Sequence, residues 1–79
     1  MEIKILGSGC ANCKRLYETV NTAVSELKTD ANVLYITDLM QISNSGLLRT
    51  PGLIINGKIV SYGRVPSLEE VKTMIQNQA

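Results

Sequence analysis

Two cysteines, Cys10 and Cys13, stand three positions apart in the segment GSGCANCKR and are the only cysteines in the sequence. A Cys-x-x-Cys pair can exchange electrons as a dithiol and a disulfide, or it can hold a soft metal ion through two thiolates. A third possibility is that both side chains are small buried hydrophobes without a chemical role. The elements on either side of the pair help to distinguish these roles.

The pair lies between a predicted strand and a predicted helix. The segment EIKIL, residues 2–6, alternates polar and apolar residues as a strand does. From Ala11 onward the apolar residues recur at helical spacing. This pattern places Cys10 at the start of the helix and Cys13 in its buried stripe.

The start of a helix favours a thiolate at Cys10. The first amides of an α-helix lack partners and the helix dipole is positive at this end, so we expect a low pKa for Cys10. Lys14 adds a nearby positive charge, and the glycines at positions 7 and 9 are expected to leave the approach to the sulfur open. Cys13 lies one turn further on and is more shielded, so it can attack the mixed disulfide that Cys10 forms.

The middle of the chain predicts a second strand and a short helix. NVLYIT, residues 32–37, is rich in β-branched and aromatic residues, which favour strands. Asp38 and Gln41 follow at the spacing of a capping box. The helix that they open is expected to end near Gly46.

The last part of the chain predicts a hairpin and a closing helix. Asn56 and Gly57 join two apolar runs, and Ser67 with Glu70 has the spacing of a second capping box. The complete order β-α-β-α-β-β-α implies a four-stranded mixed sheet in the order 2-1-3-4 with helices on both faces. We therefore expect a single α/β domain over residues 1–79.

The composition argues against several classes of function. The net charge of +1 over 79 residues lacks the excess of Lys and Arg that a nucleic-acid-binding surface needs. No apolar run reaches the ~18 residues of a membrane span, and the first residues lack the features of a secretory signal. We expect a cytoplasmic monomer, in which a Cys-x-x-Cys pair is more often catalytic or metal-binding than a structural disulfide.

The sequence resembles the thioredoxin superfamily, and in particular its small archaeal and bacterial thioredoxin-like proteins with a redox-active disulfide. The resemblance covers essentially the whole chain and rests on GSGCANCKRLYETV, LYITDLMQI and RTPGLIINGKIVSYGRVPSLEEVK. It implies a thioredoxin-like fold and a protein dithiol–disulfide oxidoreductase that binds no cofactor. The implied partners are protein disulfides and an electron donor similar to thioredoxin reductase.

The segment TPG carries the resemblance beyond the cysteines. In the thioredoxin superfamily a cis-proline precedes the third strand of this order and faces the redox pair, and Pro51 matches that place. The resemblance implies that Thr50 and Pro51 form a wall for a substrate strand, with the backbone of Thr50 available for pairing. Gly9, which leaves room for a partner's backbone, is assigned to the same surface.

Four positions depart from the family pattern, the first being Gly9, where conventional thioredoxins have a tryptophan. Ala11 and Asn12 stand between the cysteines where thioredoxins have Gly and Pro, and Lys4 replaces a buried acid six residues before the first cysteine. We expect Lys4 to be a strand lysine with its amine in water. Because the dipeptide between the cysteines tunes the reduction potential, the direction of electron flow stays open.

Two alternative functions remain open from the sequence. GSGCANC also resembles the metal-binding loop of heavy-metal-associated domains, which would make the chain a carrier of Cu(I) or a similar ion. Those domains have a methionine in the loop and end on a strand, whereas this chain has Gly7-Ser8 and a predicted last helix. The other alternative is a thioredoxin-fold adaptor whose cysteines turn over little.

Overall fold

Strands and helices follow one another in the predicted order in the computed structural model, which describes residues 1–78. The strands are β1 (Glu2–Leu6), β2 (Asn32–Ile36), β3 (Gly52–Ile55) and β4 (Lys58–Tyr62). The helices are α1 (Ala11–Leu27), α2 (Leu39–Asn44) and α3 (Leu68–Gln78). In this described part of the chain, no helix has the length and apolar character that a membrane crossing requires.

The strands form a four-stranded mixed sheet in the order β2-β1-β3-β4, which confirms the predicted order. β1 is parallel to β2 and antiparallel to β3, and β3 pairs antiparallel with β4. β1 therefore has a partner strand on both sides. Its carboxyl end, which leads to the cysteines, lies in the middle of the sheet, where α/β folds usually place their sites.

Local signals in the sequence fix the starts of α2 and α3. Asp38 caps α2, because its Oδ1 accepts a hydrogen bond from the amide of Met40 at 3.2 Å. Gln41 donates its side-chain amide to the Asp38 carboxylate rather than accepting from the backbone. At α3, Ser67 and Glu70 form the predicted capping box, with reciprocal backbone-to-side-chain bonds of 3.1 and 3.2 Å.

The hairpin between β3 and β4 turns at Asn56 and Gly57, as predicted. Both residues have positive φ, 51° and 82°, which suits the tight turn of a two-residue hairpin. The Asn56 side chain also accepts a hydrogen bond from the amide of Glu2 at 2.9 Å and donates one to the carbonyl of Gln78 at 3.3 Å. One turn residue thereby bonds both the first strand and the last helix.

Helices α1 and α3 cover one side of the sheet, here called the packed face. Ile3, Ile5, Leu53 and Ile55 project from the strands into this layer and are fully buried. The helices contribute the remaining core residues, Leu16, Val20, Ala23, Val71 and Ile75. These nine buried residues form the hydrophobic core. Burying one Leu or Ile side chain is worth about 1.5–3 kcal/mol, so this layer supplies most of the hydrophobic stabilisation.

Among the described helices, only the short α2 lies on the other side of the sheet, here called the open face. None of the six residues of α2 is buried, and Leu39 and Met40 are 71% and 69% exposed. An open groove of about 320 Å³ runs between this helix and the sheet. Its lining consists of Lys4, Leu6, Ile36, Gln41, Asn44, Ser45, Ile54 and Gly57.

Candidate functional site

The cysteine pair lies at the junction between β1 and α1. The chain leaves β1 at Leu6, and Cys10 is the N-cap residue of α1 with an extended backbone, φ −69° and ψ 169°. Its sulfur accepts a hydrogen bond from the amide of Cys13 at 3.2 Å. A thiolate is a better acceptor than a thiol, so this bond favours the ionised form. The helix start predicted from the sequence is confirmed.

Cys10 combines exposure with a lowered pKa. The side chain of Cys13 hydrogen-bonds to the Cys10 sulfur and makes the largest contribution to the lowering, and the Cys13 amide makes the next. The amide of Asn12 adds a smaller one. Lys14, which was expected to stabilise the thiolate, has an exposed side chain near the start of α1. Helix amides and the second cysteine activate this sulfur.

Cys13 is fully buried in the packed face. Burial is the largest cause that raises its pKa, and its hydrogen bond to Cys10 adds to the effect. A buried thiol with a raised pKa reacts slowly with reagents in solution, so its reactions are directed to the neighbouring sulfur. The two cysteines therefore have opposite environments although they lie one helical turn apart.

Gly7 does not have the role that we expected from the sequence. It is buried, and a Cβ placed on it would lie 2.3 Å from the Cys13 sulfur. The prediction that Gly7 opens the approach to Cys10 is therefore wrong, because its missing side chain makes room for Cys13. Gly9 is partly exposed with φ +88°, and nothing lies within 4 Å of a Cβ built on it.

Thr50 and Pro51 lie beside this junction. The peptide bond between them is cis, Pro51 is buried and Thr50 is exposed. The Cα of Pro51 is 3.9 Å from the Cβ position of Gly7, the same position that touches the Cys13 sulfur. Pro51 also accepts a hydrogen bond from the amide of Gly63 at 2.9 Å, which ties it to the end of β4. The structure thus brings the TPG segment and the cysteine pair together.

Lys4 lies on the open face and lines the groove under α2. Its amine is 3.5 Å from the carboxylate of Glu2, and its side chain is 36% exposed. This matches the expected strand lysine whose amine reaches water. The resemblance implies a buried acid at this position, and this chain has the lysine there instead.

Tyr35 is a residue that the sequence interpretation assigned only to packing. Its ring stacks on Tyr17 with centroids 5.1 Å apart and an interplanar angle of 27°. Burial is the largest cause that raises the Tyr35 pKa, followed by the charges of Cys13 and Cys10. Tyr17 stands four positions after Cys13 on α1, and that helical spacing was the available signal for a tyrosine near the second cysteine.

The structure also bears on the metal-carrier alternative. The chain has a helix between β2 and β3 and has α3 after its last strand. That order differs from the heavy-metal-associated domain that the GSGCANC loop resembles.

Comparison with known proteins gives concordant matches over nearly the whole chain. A family model described as a thioredoxin domain matches residues 1–76. A curated thioredoxin from Methanothermobacter thermautotrophicus is 43% identical, covering 95% of this chain and 97% of that relative. A curated thioredoxin from Methanocaldococcus jannaschii is 39% identical, covering 95% of this chain and 86% of that relative.

A solved structure extends the similarity to three dimensions. Thioredoxin 1 from the thermophilic eubacterium Thermosipho africanus superposes with a TM-score of 0.65 and covers 98% of this chain and 92% of that chain. The sequence identity of the pair is 20%, so this similarity concerns the fold. The four-stranded mixed sheet with helices on both faces is a thioredoxin fold.

Proposed function

This chain belongs to the thioredoxin family and is a protein disulfide oxidoreductase, and from that premise we propose that it exchanges a Cys10–Cys13 dithiol for disulfides in protein substrates. The observation that carries the proposal is the asymmetry of the two sulfurs. Cys10 is exposed at a helix N-terminus with a lowered pKa, whereas Cys13 is buried with a raised pKa. Such an asymmetry suits one nucleophile and one resolving thiol.

The first step takes place at Cys10. Its thiolate attacks one sulfur of a substrate disulfide, a Cys10–substrate disulfide forms, and the second substrate sulfur leaves as a thiolate that takes a proton from water. The amide of Cys13, 3.2 Å from the Cys10 sulfur, holds the attacking thiolate before the reaction. The lowered pKa makes this thiolate available without a separate base.

The second step takes place at Cys13. Once deprotonated, its sulfur attacks the Cys10 sulfur, the bond from Cys10 to the substrate breaks, and the substrate leaves with two electrons. The product is a Cys10–Cys13 disulfide and a reduced substrate dithiol. Because Cys13 is fully buried, the mixed disulfide at Cys10 is its accessible target.

The substrate-facing surface in this proposal is formed by Thr50, Pro51 and Gly9. Thr50 is exposed beside β3 and offers backbone groups to an extended substrate segment, as in β-strand addition. Gly9 leaves open space next to Cys10, since a Cβ there would meet no atom within 4 Å. A substrate strand would thus lie between Gly9 and the Thr50-Pro51 segment, with its disulfide at Cys10.

Turnover requires a partner that returns electrons to the Cys10–Cys13 disulfide. We assign this role to a reductase similar to thioredoxin reductase, with protein disulfides as the oxidised partners. The reaction needs no bound cofactor on this chain, since both electrons pass through the two sulfurs. We place the protein as a monomer in the cytoplasm, where a reducing environment regenerates dithiols.

The proposal is tested by trapping a substrate on each cysteine in turn. Cys13→Ser should hold oxidised insulin on Cys10 as a mixed disulfide that dithiothreitol releases, because the resolving thiol is missing. The matched variant Cys10→Ser should trap none, and the wild-type chain should accelerate insulin reduction by dithiothreitol. Equal trapping by both variants would contradict the assigned roles. A Cu(I) complex that resists a strong chelator, without insulin reduction, would support the metal carrier instead.

A further inference from the structure

The hydroxyl of Tyr35 is buried in the packed face without a partner. Its oxygen is inaccessible to solvent and has no hydrogen-bond partner among residues 1–78. Buried hydroxyl groups in folded proteins are almost always hydrogen-bonded, because an unpaired one costs free energy. A hydroxyl kept in this state next to a reactive group is a candidate for a bond that forms only during the reaction.

Three contacts connect the segment that holds Tyr35 with the segment that holds Cys13. The amide of Gly7 donates a hydrogen bond to the carbonyl of Ile36, the residue after Tyr35, at 3.0 Å. The Cβ position of the same Gly7 is 2.3 Å from the Cys13 sulfur. Tyr35 is in register with Ile5 and packs against the core on the packed face, the side that also holds Cys13.

Helix α1 contributes the third contact. Tyr17, whose ring stacks on Tyr35, follows Cys13 by one helical turn and lies on the same helix face. The Tyr35 ring is therefore held between β2 and the first two turns of α1. This stack limits the freedom of the Tyr35 ring to move away from α1.

The electrostatics agree with this placement. After burial, the charges of Cys13 and then of Cys10 are the causes that raise the Tyr35 pKa. Tyr17 is the titratable group that contacts its ring. A phenol with a pKa above its ordinary value keeps its proton at neutral pH. It can donate a hydrogen bond but cannot serve as a base.

We propose that the Tyr35 hydroxyl donates a hydrogen bond to the Cys13 thiolate and so accelerates the resolving step. The inference rests on the proposed function, in which Cys13 attacks the mixed disulfide at Cys10. A neutral thiol is a weak acceptor, whereas a thiolate is a strong one, so the bond gains strength as Cys13 loses its proton to water. Tyr35 keeps its own proton, and the electrons move from the Cys13 sulfur through Cys10 to the leaving substrate sulfur.

The test separates the two sulfurs by their release of thionitrobenzoate. Reduced protein is mixed with dithiobis(nitrobenzoate) in a stopped-flow spectrometer. Attack by Cys10 releases the first equivalent, and resolution by Cys13 releases the second. Tyr35→Phe should slow the second phase about tenfold, the size of a lost bond to a charged group, and leave the first phase unchanged. Tyr17→Phe, which removes the hydroxyl of the stacked partner, is the matched control and should leave both phases unchanged.

A merely structural role for Tyr35 would give a different pattern. With the proposed bond, the pH at which the second phase reaches half its maximal rate should rise in Tyr35→Phe, because the thiolate is no longer stabilised. The urea midpoint should stay equal or rise, because an unpaired buried hydroxyl has been removed.

A second phase with wild-type rate and pH profile in Tyr35→Phe would overturn the inference, and so would equal slowing of both phases. If the wild-type chain itself released a single equivalent, the proposed function would be wrong and this inference with it. The wild-type trace therefore distinguishes a failure of the proposed function from a failure of the role given to Tyr35.

Discussion

The two faces of the sheet differ in how completely helices bury their side chains. On the packed face, α1 and α3 bury residues of β1 and β3 completely, and Cys13 belongs to that layer. On the open face, α2 buries none of its own six residues and leaves a groove of about 320 Å³. The same β1 strand serves both faces, with Ile3 and Ile5 on one side and Lys4 on the other.

The difference shows which side chains this small protein holds in fixed positions. The Cys13 sulfur and Tyr35 lie on the side where side chains are held by close packing. The open face carries exposed apolar residues such as Leu39 and Met40, whose positions the rest of the molecule constrains weakly. The redox pair thus stands on a rigid support, and substitutions on the two faces should have unequal effects.

The largest difference is expected for truncation of a large side chain on each face. Leu16→Ala leaves a cavity under α1 and should lower the free energy of unfolding by about 2–5 kcal/mol, since Leu16 is fully buried. Met40→Ala on α2 should change it by less than about 0.5 kcal/mol, since Met40 is 69% exposed. Urea unfolding of both variants measures the contrast. Similar losses would show that α2 is packed more tightly than its exposure indicates.

A smaller contrast is expected from one added methyl group on each face. Gly7→Ala should lower the free energy of unfolding by about 1–3 kcal/mol, because its Cβ would meet the short, buried Cys13 side chain. Gly52→Ala should cost less, because its Cβ would meet the end of the Leu47 side chain, 2.2 Å away, which can rotate aside. Urea midpoints rank the two variants. An equal cost would mean that Leu47 is as immobile as Cys13.

The exposed Cys10 and the buried Cys13 should also differ in reactivity. Iodoacetamide reacts with thiolates, so the labelling rate of each cysteine should rise with pH through its pKa. Cys10, with its lowered pKa, should reach half-maximal rate below the ordinary pH for a cysteine, and Cys13 above it. Mass spectrometry of the digested chain assigns each label. Coincident pH profiles would remove the basis for separate roles.

The smallest effect is expected at the polar edge of the packed face. Arg64 donates to both carboxylate oxygens of Glu70, at 2.9 and 2.8 Å, and this contact is the largest cause that lowers the Glu70 pKa. Folding lowers this pKa, so the ionised carboxylate stabilises the native state above its unfolded pKa, and the contribution is lost as pH falls through the folded value. The urea midpoint is measured as a function of pH, and its fall at acidic pH is here called the acid limb. Glu70→Gln should make this fall less steep.

Glu69→Gln is the matched control for this measurement. Glu69 precedes Glu70 on α3, and its side chain is 85% exposed. It should leave the acid limb as in the wild-type chain, because its carboxylate lies 4.0 Å from the Lys72 amine, whereas Arg64 bonds both carboxylate oxygens of Glu70. An unchanged acid limb in both variants would show that the Arg64 contact adds nothing to folding.

The sequence predicts the elements whose signals are local. The bounds of β1, the capping of α2 by Asp38 and the turn at Asn56-Gly57 depend on neighbouring residues, and all three are confirmed. The order of the strands follows from the element order, because crossovers have a fixed hand. The position of Cys10 at the helix start could be predicted for the same reason.

The features that sequence could not supply depend on contacts between distant segments. Gly7 has the same local signal whether it opens a loop or makes room for a sulfur, and only the packing of α1 on β1 decides between them. The neighbourhood of Tyr35 depends on how β2 lies under α1. The pairing of β3 with β4 also shifts between Leu53 and Ile54, an irregularity that alternating hydrophobicity does not reveal.

The side chain of Asn56 has a consequence for connectivity. It bonds the amide of Glu2 and the carbonyl of Gln78, so both of these backbone positions lie within reach of a single amide group. A few linker residues would therefore suffice to connect Gln78 to Glu2. A circular permutant opened at the exposed turn around Gly46 would retain every strand pairing and the cysteine junction. The arrangement of the cysteines therefore depends on which segments pack together, and a new chain opening at this turn should leave it unchanged.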